Sequence, residues 1–140
     1  MKLILPLLTA IALLSAIQAA DQTAKPETSA TAPKKYKNVD PETFDKMRKE
    51  DQSAVLLDVR TKEEYKRGHI PGSILIDFNS PDFEKEVARL DKNKTYLVHC
   101  AVGGRSARAC KKMEGLSFLK LYNLEGGMGA WEKAGKPVEK

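Results

Sequence analysis

Thr95-Tyr-Leu-Val-His-Cys-Ala-Val-Gly-Gly-Arg-Ser106 decides how this chain is read. Its first six residues, Thr95 to Cys100, are mostly apolar and lack polar alternation. Such continuous runs belong to strands covered on both faces, which points to a parallel sheet. The next residues pair two glycines with an arginine, and Ser106 to Glu114, closed by Gly115, has helical character. A strand, a glycine loop and a helix therefore follow one another within twenty residues.

The rest of the chain repeats this alternation. Ala54–Val59, Ser73–Asp77 and Phe118–Tyr122 are short apolar runs bounded by turn formers, and they read as strands. Helices are expected from Asp40-Pro41 through Phe44 and Met47, with Asp40 as cap and Pro41 in the first turn. Thr61 and Glu64 form an S/T-x-x-E capping box, and Pro81–Leu90 and Met128–Lys133 complete the set. Glu125-Gly-Gly-Met-Gly129 is too rich in glycine for a helix interior and reads as a turn beside the Cys100 loop, with Trp131 as a core anchor. The expected fold is α/β, a small doubly wound parallel sheet of about five strands with helices on both faces.

At 140 residues the chain holds one ordinary domain. Residues 1–19 carry 14 apolar side chains and a single charge, Lys2, and run into the small residues Ala16, Ala19 and Ala20. This is the pattern of a secretory signal, cleaved after Ala19 or Ala20, and the apolar run is short for a membrane span. Export, to the periplasm in a bacterium, and no stable membrane insertion after cleavage are the expectations. Residues 20–35 lack aromatic and branched aliphatic side chains and read as a disordered linker, leaving residues 36–140 as the folded domain. The 24 basic and 19 acidic residues give a net charge of +5. The basic residues are scattered without interleaved aromatics, which argues against nucleic acid as partner.

The chemistry points to Cys100. Ligands of open parallel sheets collect at the carboxyl ends of the strands. There, Gly103 and Gly104 let successive N–H groups turn inward while the helix start adds partial positive charge, so the loop can cradle an anion. A cysteine at the rim of such a cradle has a lowered pKa, and its thiolate is the reactive form. Arg105 adds a fixed charge and a donor fork suited to a tetrahedral anion. A cysteine that merely packs in a core has no need of the glycine cradle and the arginine.

Four stretches together resemble the rhodanese family of sulfurtransferases: Leu56-Leu-Asp-Val-Arg60, Gly68-His-Ile-Pro-Gly-Ser73, Cys100 to Ser106, and Leu124-Glu-Gly-Gly127 with Ala130-Trp131 and Ala134-Gly135. The resemblance covers nearly all of residues 36–140. It implies a two-step transfer in which Cys100 takes the outer sulfur of a donor such as thiosulfate and passes it to cyanide or a thiol, with a protein acceptor also admitted. It further implies that the N–H groups of Ala101, Val102, Gly103, Gly104, Arg105 and Ser106 hold the persulfide, and that Arg105 binds the donor or orients the loop. No metal or organic cofactor is implied. Ala101 departs from the family, whose thiosulfate users often carry a basic residue there, so the donor stays open. A carrier that holds persulfide without turnover is the alternative. Cysteine phosphatases or arsenate reductases of similar fold are a lesser one, because their C-x5-R loop is a residue longer than the C-x4-R found here.

Other residues take structural readings. Asp58 and Arg60 form a charge pair tying a strand end to the next turn, and His69 shapes the Gly-His-Ile-Pro-Gly turn. His99 precedes Cys100 on a strand, where neighbours point to opposite faces, so it cannot join the thiol in a dyad. Cys110 is expected on the inner face of its helix, too far from Cys100 for a disulfide.

Overall fold

The computed structural model describes residues 36–140; the signal segment and linker expected over residues 1–35 lie outside the described residues. In chain order the elements are β1 (Lys37–Val39), α1 (Pro41–Glu50), β2 (Val55–Asp58), α2 (Lys62–Arg67), β3 (Ile74–Leu75), α3 (Phe83–Val87), β4 (Thr95–His99), α4 (Gly104–Gly115), β5 (Lys120–Leu124) and α5 (Gly127–Lys133). The strands form one sheet in the order β1-β5-β4-β2-β3, and every pairing is parallel. The apolar run of β4 lies at the centre of the sheet, with Tyr96 to His99 all buried. Among the described residues no helix is long and apolar enough to cross a membrane.

Two cores flank the sheet. On one face Leu57, Tyr96, Val98 and Leu121 pack against Phe83 and Val87 of α3 and Ala109, Cys110 and Met113 of α4. On the other, Leu56, Leu97 and Leu124 meet Phe44 of α1 and Met128 and Trp131 of α5. The alternation of strand side chains sorts neighbours between the cores. Cys100 continues the Tyr96 and Val98 side, whereas His99 sets its ring edge-on to Phe44 on the other.

Local signals act where the sequence places them. Asp40 accepts a hydrogen bond from the Thr43 N–H at 2.7 Å, a cap worth about 1 kcal/mol. Thr61 and Glu64 complete both bonds of the capping box on α2. Trp131 is fully buried and its indole N–H donates to the Pro137 carbonyl at 2.8 Å.

Several boundaries differ from expectation, each for a physical reason. The strand expected over Phe118–Tyr122 lies at Lys120–Leu124. Phe118 instead turns into the core against the edge of Tyr96, after Ser117 takes a left-handed conformation. Asn123 masks the end of this strand in the sequence because it is polar, but its amide donates to Asn38 of β1 at 3.0 Å. β1 itself shows no apolar run, since Lys37 and Asn38 are exposed and only pairing with β5 makes it a strand. The run Ser73–Asp77 shortens to two strand residues at the sheet edge. Pro81–Leu90 contracts to a five-residue helix whose Asp82 makes no side-chain cap. Helix α4 starts at Gly104 rather than Ser106, and Gly115 is its last residue rather than the left-handed stop, which is Ser117. Gly127 and Gly129, expected in a turn, lie within α5.

Candidate active site

Cys100 follows the last residue of β4 and is fully buried beneath its own loop. Gly103 has φ of 101°, a left-handed conformation that glycine adopts without steric cost. The turn carries the Gly103 N–H to 3.1 Å from Cys100 Sγ. The Ser106 hydroxyl lies 3.3 Å from the same sulfur and 3.1 Å from the Gly103 carbonyl. Its one proton serves either acceptor, and a negative sulfur draws it more strongly than a neutral carbonyl.

Burial pushes the Cys100 thiol up, but the Ser106 hydroxyl and the N–H groups of Ser106, Val102 and Gly103 outweigh it, leaving the pKa below the ordinary thiol value. The Ala101 carbonyl accepts from the Gly129 N–H at 3.1 Å. The Cys100 carbonyl likewise accepts from the Met128 N–H at 2.8 Å. Helix α5 thus fixes the two carbonyls that precede the Val102 and Gly103 amides acting on the sulfur. Gly127 permits this approach: a Cβ there would stand 2.4 Å from the Cys100 carbonyl oxygen.

The Arg105 fork, expected to receive a tetrahedral anion, is closed on a carboxylate. Nη1 meets Glu64 Oε2 at 2.8 Å and Nη2 meets Glu64 Oε1 at 2.7 Å. Arg105 holds the Glu64 carboxyl at about 2, against the opposing push of partial burial and with help from Thr61. Sequence reasoning recognised Glu64 only as a helix cap. Its partner is 41 residues away, and no local pattern encodes such a pairing.

Asp58 and Arg60 form a buried pair, with Arg60 Nη2 2.7 Å from Asp58 Oδ2 and also donating to the Gly68 carbonyl at 2.7 Å. This ties the end of β2 to the turn after α2. His69 stacks on Tyr65 and places its ring nitrogens 3.0 Å from the Tyr65 carbonyl and 3.1 Å from the Glu139 carboxylate. It lies in that same turn, held by Tyr65 and Glu139. His99 is fully buried, its ring nitrogens without hydrogen bonds, 3.7 Å from Asp58 Oδ2. Burial lowers its pKa to about 4, with Asp58 opposing and Arg60 assisting. Cys110 is a free, buried thiol on the inner face of α4, and burial holds its pKa far above the ordinary range. Among the described residues no cluster of histidine, cysteine and carboxylate side chains could hold a metal ion.

The chain has similar counterparts among known proteins. The family model for the rhodanese-like domain matches residues 40–134. "Putative sulfurtransferase YtwF" of Bacillus subtilis is 40% identical over 87 residues, spanning 62% of this chain and 82% of the relative. "Thiosulfate sulfurtransferase GlpE" of Pseudomonas savastanoi is 34% identical over 97 residues, spanning 69% of this chain and 87% of that one. A crystal structure of a rhodanese-related protein from Thermoplasma volcanium superposes with a TM-score of 0.66 at 30% identity, covering 74% of this chain and 98% of that one.

Proposed function

The chain belongs to the rhodanese-like domain family, and on that premise we propose that it is a sulfurtransferase working through a persulfide on Cys100. The observation that carries the proposal is the convergence of the Gly103 N–H and the Ser106 hydroxyl on Sγ, donors that suit a negative sulfur and do nothing for a packed thiol. In the first half-reaction the Cys100 thiolate attacks the outer sulfur of a donor. With thiosulfate, the donor's S–S bond breaks and sulfite leaves with the electron pair. In the second, cyanide or an acceptor thiolate attacks the outer sulfur of the persulfide and Cys100 departs as thiolate. Because Cys100 is fully buried, each half-reaction needs a small outward movement of Sγ or of the Ala101–Gly103 segment.

Arg105 acts by position. Its bond to Glu64 fixes the first turn of α4 against the first turn of α2 and so holds the start of the cradle. The Asp58–Arg60 pair and the His69 turn support the neighbouring strand end. The proposal places the domain outside the cytoplasm, supported by the signal-like composition of residues 1–19.

Intact mass spectrometry after incubation with sulfur donors tests the reading. The wild type should gain about 32 Da, one sulfur atom, and Cys100→Ser should not. Release of that sulfur to cyanide as thiocyanate over many cycles distinguishes an enzyme from a carrier, which would load once and stop. Absence of any Cys100-dependent gain with thiosulfate and with persulfide donors would overturn the proposal.

A further inference from the structure

The loop from Ala101 to Ser106 contains one ionisable side chain, Arg105, and Glu64 occupies both of its terminal nitrogens. Asp77 also acts on Arg105 electrostatically. Arg60, just after β2, is committed to Asp58 and to the Gly68 carbonyl, and Arg108 of α4 lies over the Phe78 ring at 5.1 Å. What the cradle offers a ligand is therefore the set of amides and the hydroxyl around Sγ, sufficient for one negative charge on sulfur. At the loop tip Val102 is 77% exposed.

These features treat two kinds of sulfur donor differently. Thiosulfate carries two negative charges, and as its S–S bond breaks both end on the oxygens of departing sulfite. Stabilising them needs a free donor fork, yet the loop's arginine is already paired with Glu64. A persulfide borne on a thiol, R–S–SH, presents a sulfur and a carbon chain with no oxyanion head. The Cys100 thiolate bonds to the outer sulfur, the S–S bond breaks, and R–S⁻ leaves while the proton stays on the transferred sulfur. The single negative charge passes from Cys100 Sγ to the leaving sulfur and never rests on an oxyanion head.

Building on the sulfur-transfer reading above, we infer that Glu64 is a specificity-determining residue: by closing the Arg105 fork it selects thiol-borne persulfide donors against dianionic oxyanion donors. Discrimination arises by withholding a favourable contact from the wrong ligand and placing a like charge near it.

Glu64→Gln is the informative variant, because glutamine still serves the capping box while the charge that neutralises Arg105 is removed. The full chain is loaded with thiosulfate or with cysteine persulfide generated in situ, and Cys100 sulfur is followed by intact mass. The variant should raise the ratio of kcat/KM for thiosulfate to kcat/KM for cysteine persulfide about fivefold, through the thiosulfate KM, whatever the weakened hold on the loop costs both donors alike. The gain should vanish when Arg105→Gln is added, since it comes from the freed guanidinium. Loss of both activities together, with the ratio unchanged, would mean that the pair only holds the loop and would overturn the inference. Wild-type loading by thiosulfate should also be nearly independent of ionic strength between about 0.02 and 0.3 M. A steep fall with salt would reveal an available cation and overturn the inference even if the variant did not fold. A wild type that no donor loads at Cys100 would defeat the sulfur-transfer reading itself, a different outcome from loading by both donors without the expected response to Glu64→Gln.

Discussion

Gly127→Ala is the sharpest test of the backbone cradle. Gly127 has φ of +56°, and an added Cβ would meet the Cys100 carbonyl oxygen at 2.4 Å and the Ala101 carbonyl carbon and oxygen at 2.6 and 2.7 Å. The contacts are backbone and cannot rotate away, so the start of α5 must retreat by at least about 0.6 Å to reach 3.0 Å. Holding alanine in the left-handed region costs about 1 kcal/mol. Stretching the Met128 and Gly129 N–H bonds to the Cys100 and Ala101 carbonyls costs about 1 kcal/mol each. The expected loss is about 3 kcal/mol, equivalent to a fall in Tm of about 10 to 15 °C for a domain of this size. Gly129→Ala is the matched control. Its nearest contact would be 3.8 Å from the Ala101 oxygen and its φ is ordinary, so it should gain about 0.5 kcal/mol as a helical alanine. Urea unfolding measures both, and the pH dependence of iodoacetamide alkylation reports the thiol, whose pKa should rise in Gly127→Ala as the loop amides lose their aim. If Gly127→Ala lies within about 1 kcal/mol of wild type with an unchanged alkylation profile, α5 does not set the cradle.

Ser106→Ala should raise the Cys100 pKa and slow alkylation at neutral pH, because it removes the hydroxyl that donates to the sulfur; an unchanged profile would reassign that hydroxyl to the Gly103 carbonyl alone. His99, buried neutral with a pKa of about 4, contributes stability that is fully present above the unfolded value near 6.5 and is lost as pH falls toward 4. Urea unfolding should show about 3 kcal/mol lost across that window, and a variant such as His99→Gln should flatten this part of the curve. Native alkylation should modify Cys100, whose pKa is lowered, and spare Cys110, whose pKa is raised, with both reacting in urea; early modification of Cys110 would contradict its suppressed ionisation. Mass spectrometry of exported protein should find a mature N-terminus at Ala20 or Asp21, whereas an intact Met1 would remove the cleavage claim.

The parts of the fold legible in the sequence are those written in local patterns. The apolar runs of β2 and β4 announce parallel strands, and Asp40, Thr61 and Glu64 announce helix starts whose hydrogen bonds the structure contains. The period of two along β4 was enough to separate His99 from Cys100. Features made by pairing left no such trace. β1 exists because β5 lies beside it, and the bond between Asn38 and Asn123 that joins them reads in sequence as two polar interruptions. The same holds at the candidate site. Cys100 and its glycines are contiguous and conspicuous, whereas Glu64 reaches Arg105 across 41 residues and had a sufficient local explanation as a cap. Gly127 looked like an ordinary turn residue because the atoms that require glycine there belong to a different segment, the carbonyls of Cys100 and Ala101.

The division of labour around Cys100 follows from these contacts. If an arginine side chain supplied most of the anion binding, one substitution could retune the site, and any small oxyanion would compete for it. Here the charged side chains are committed to one another and the sulfur is held by N–H groups whose direction depends on where two carbonyls point. Helix α5 fixes those carbonyls and contributes only backbone to the task. The start of α5 is therefore as much a part of the site as the loop itself, and its sensitive position is Gly127, where any side chain meets the peptide it serves. A cradle built from main chain accommodates a charge localised on one sulfur and offers little to a larger, more highly charged head group. Control over which donor is accepted then falls to the carboxylate that keeps Arg105 occupied.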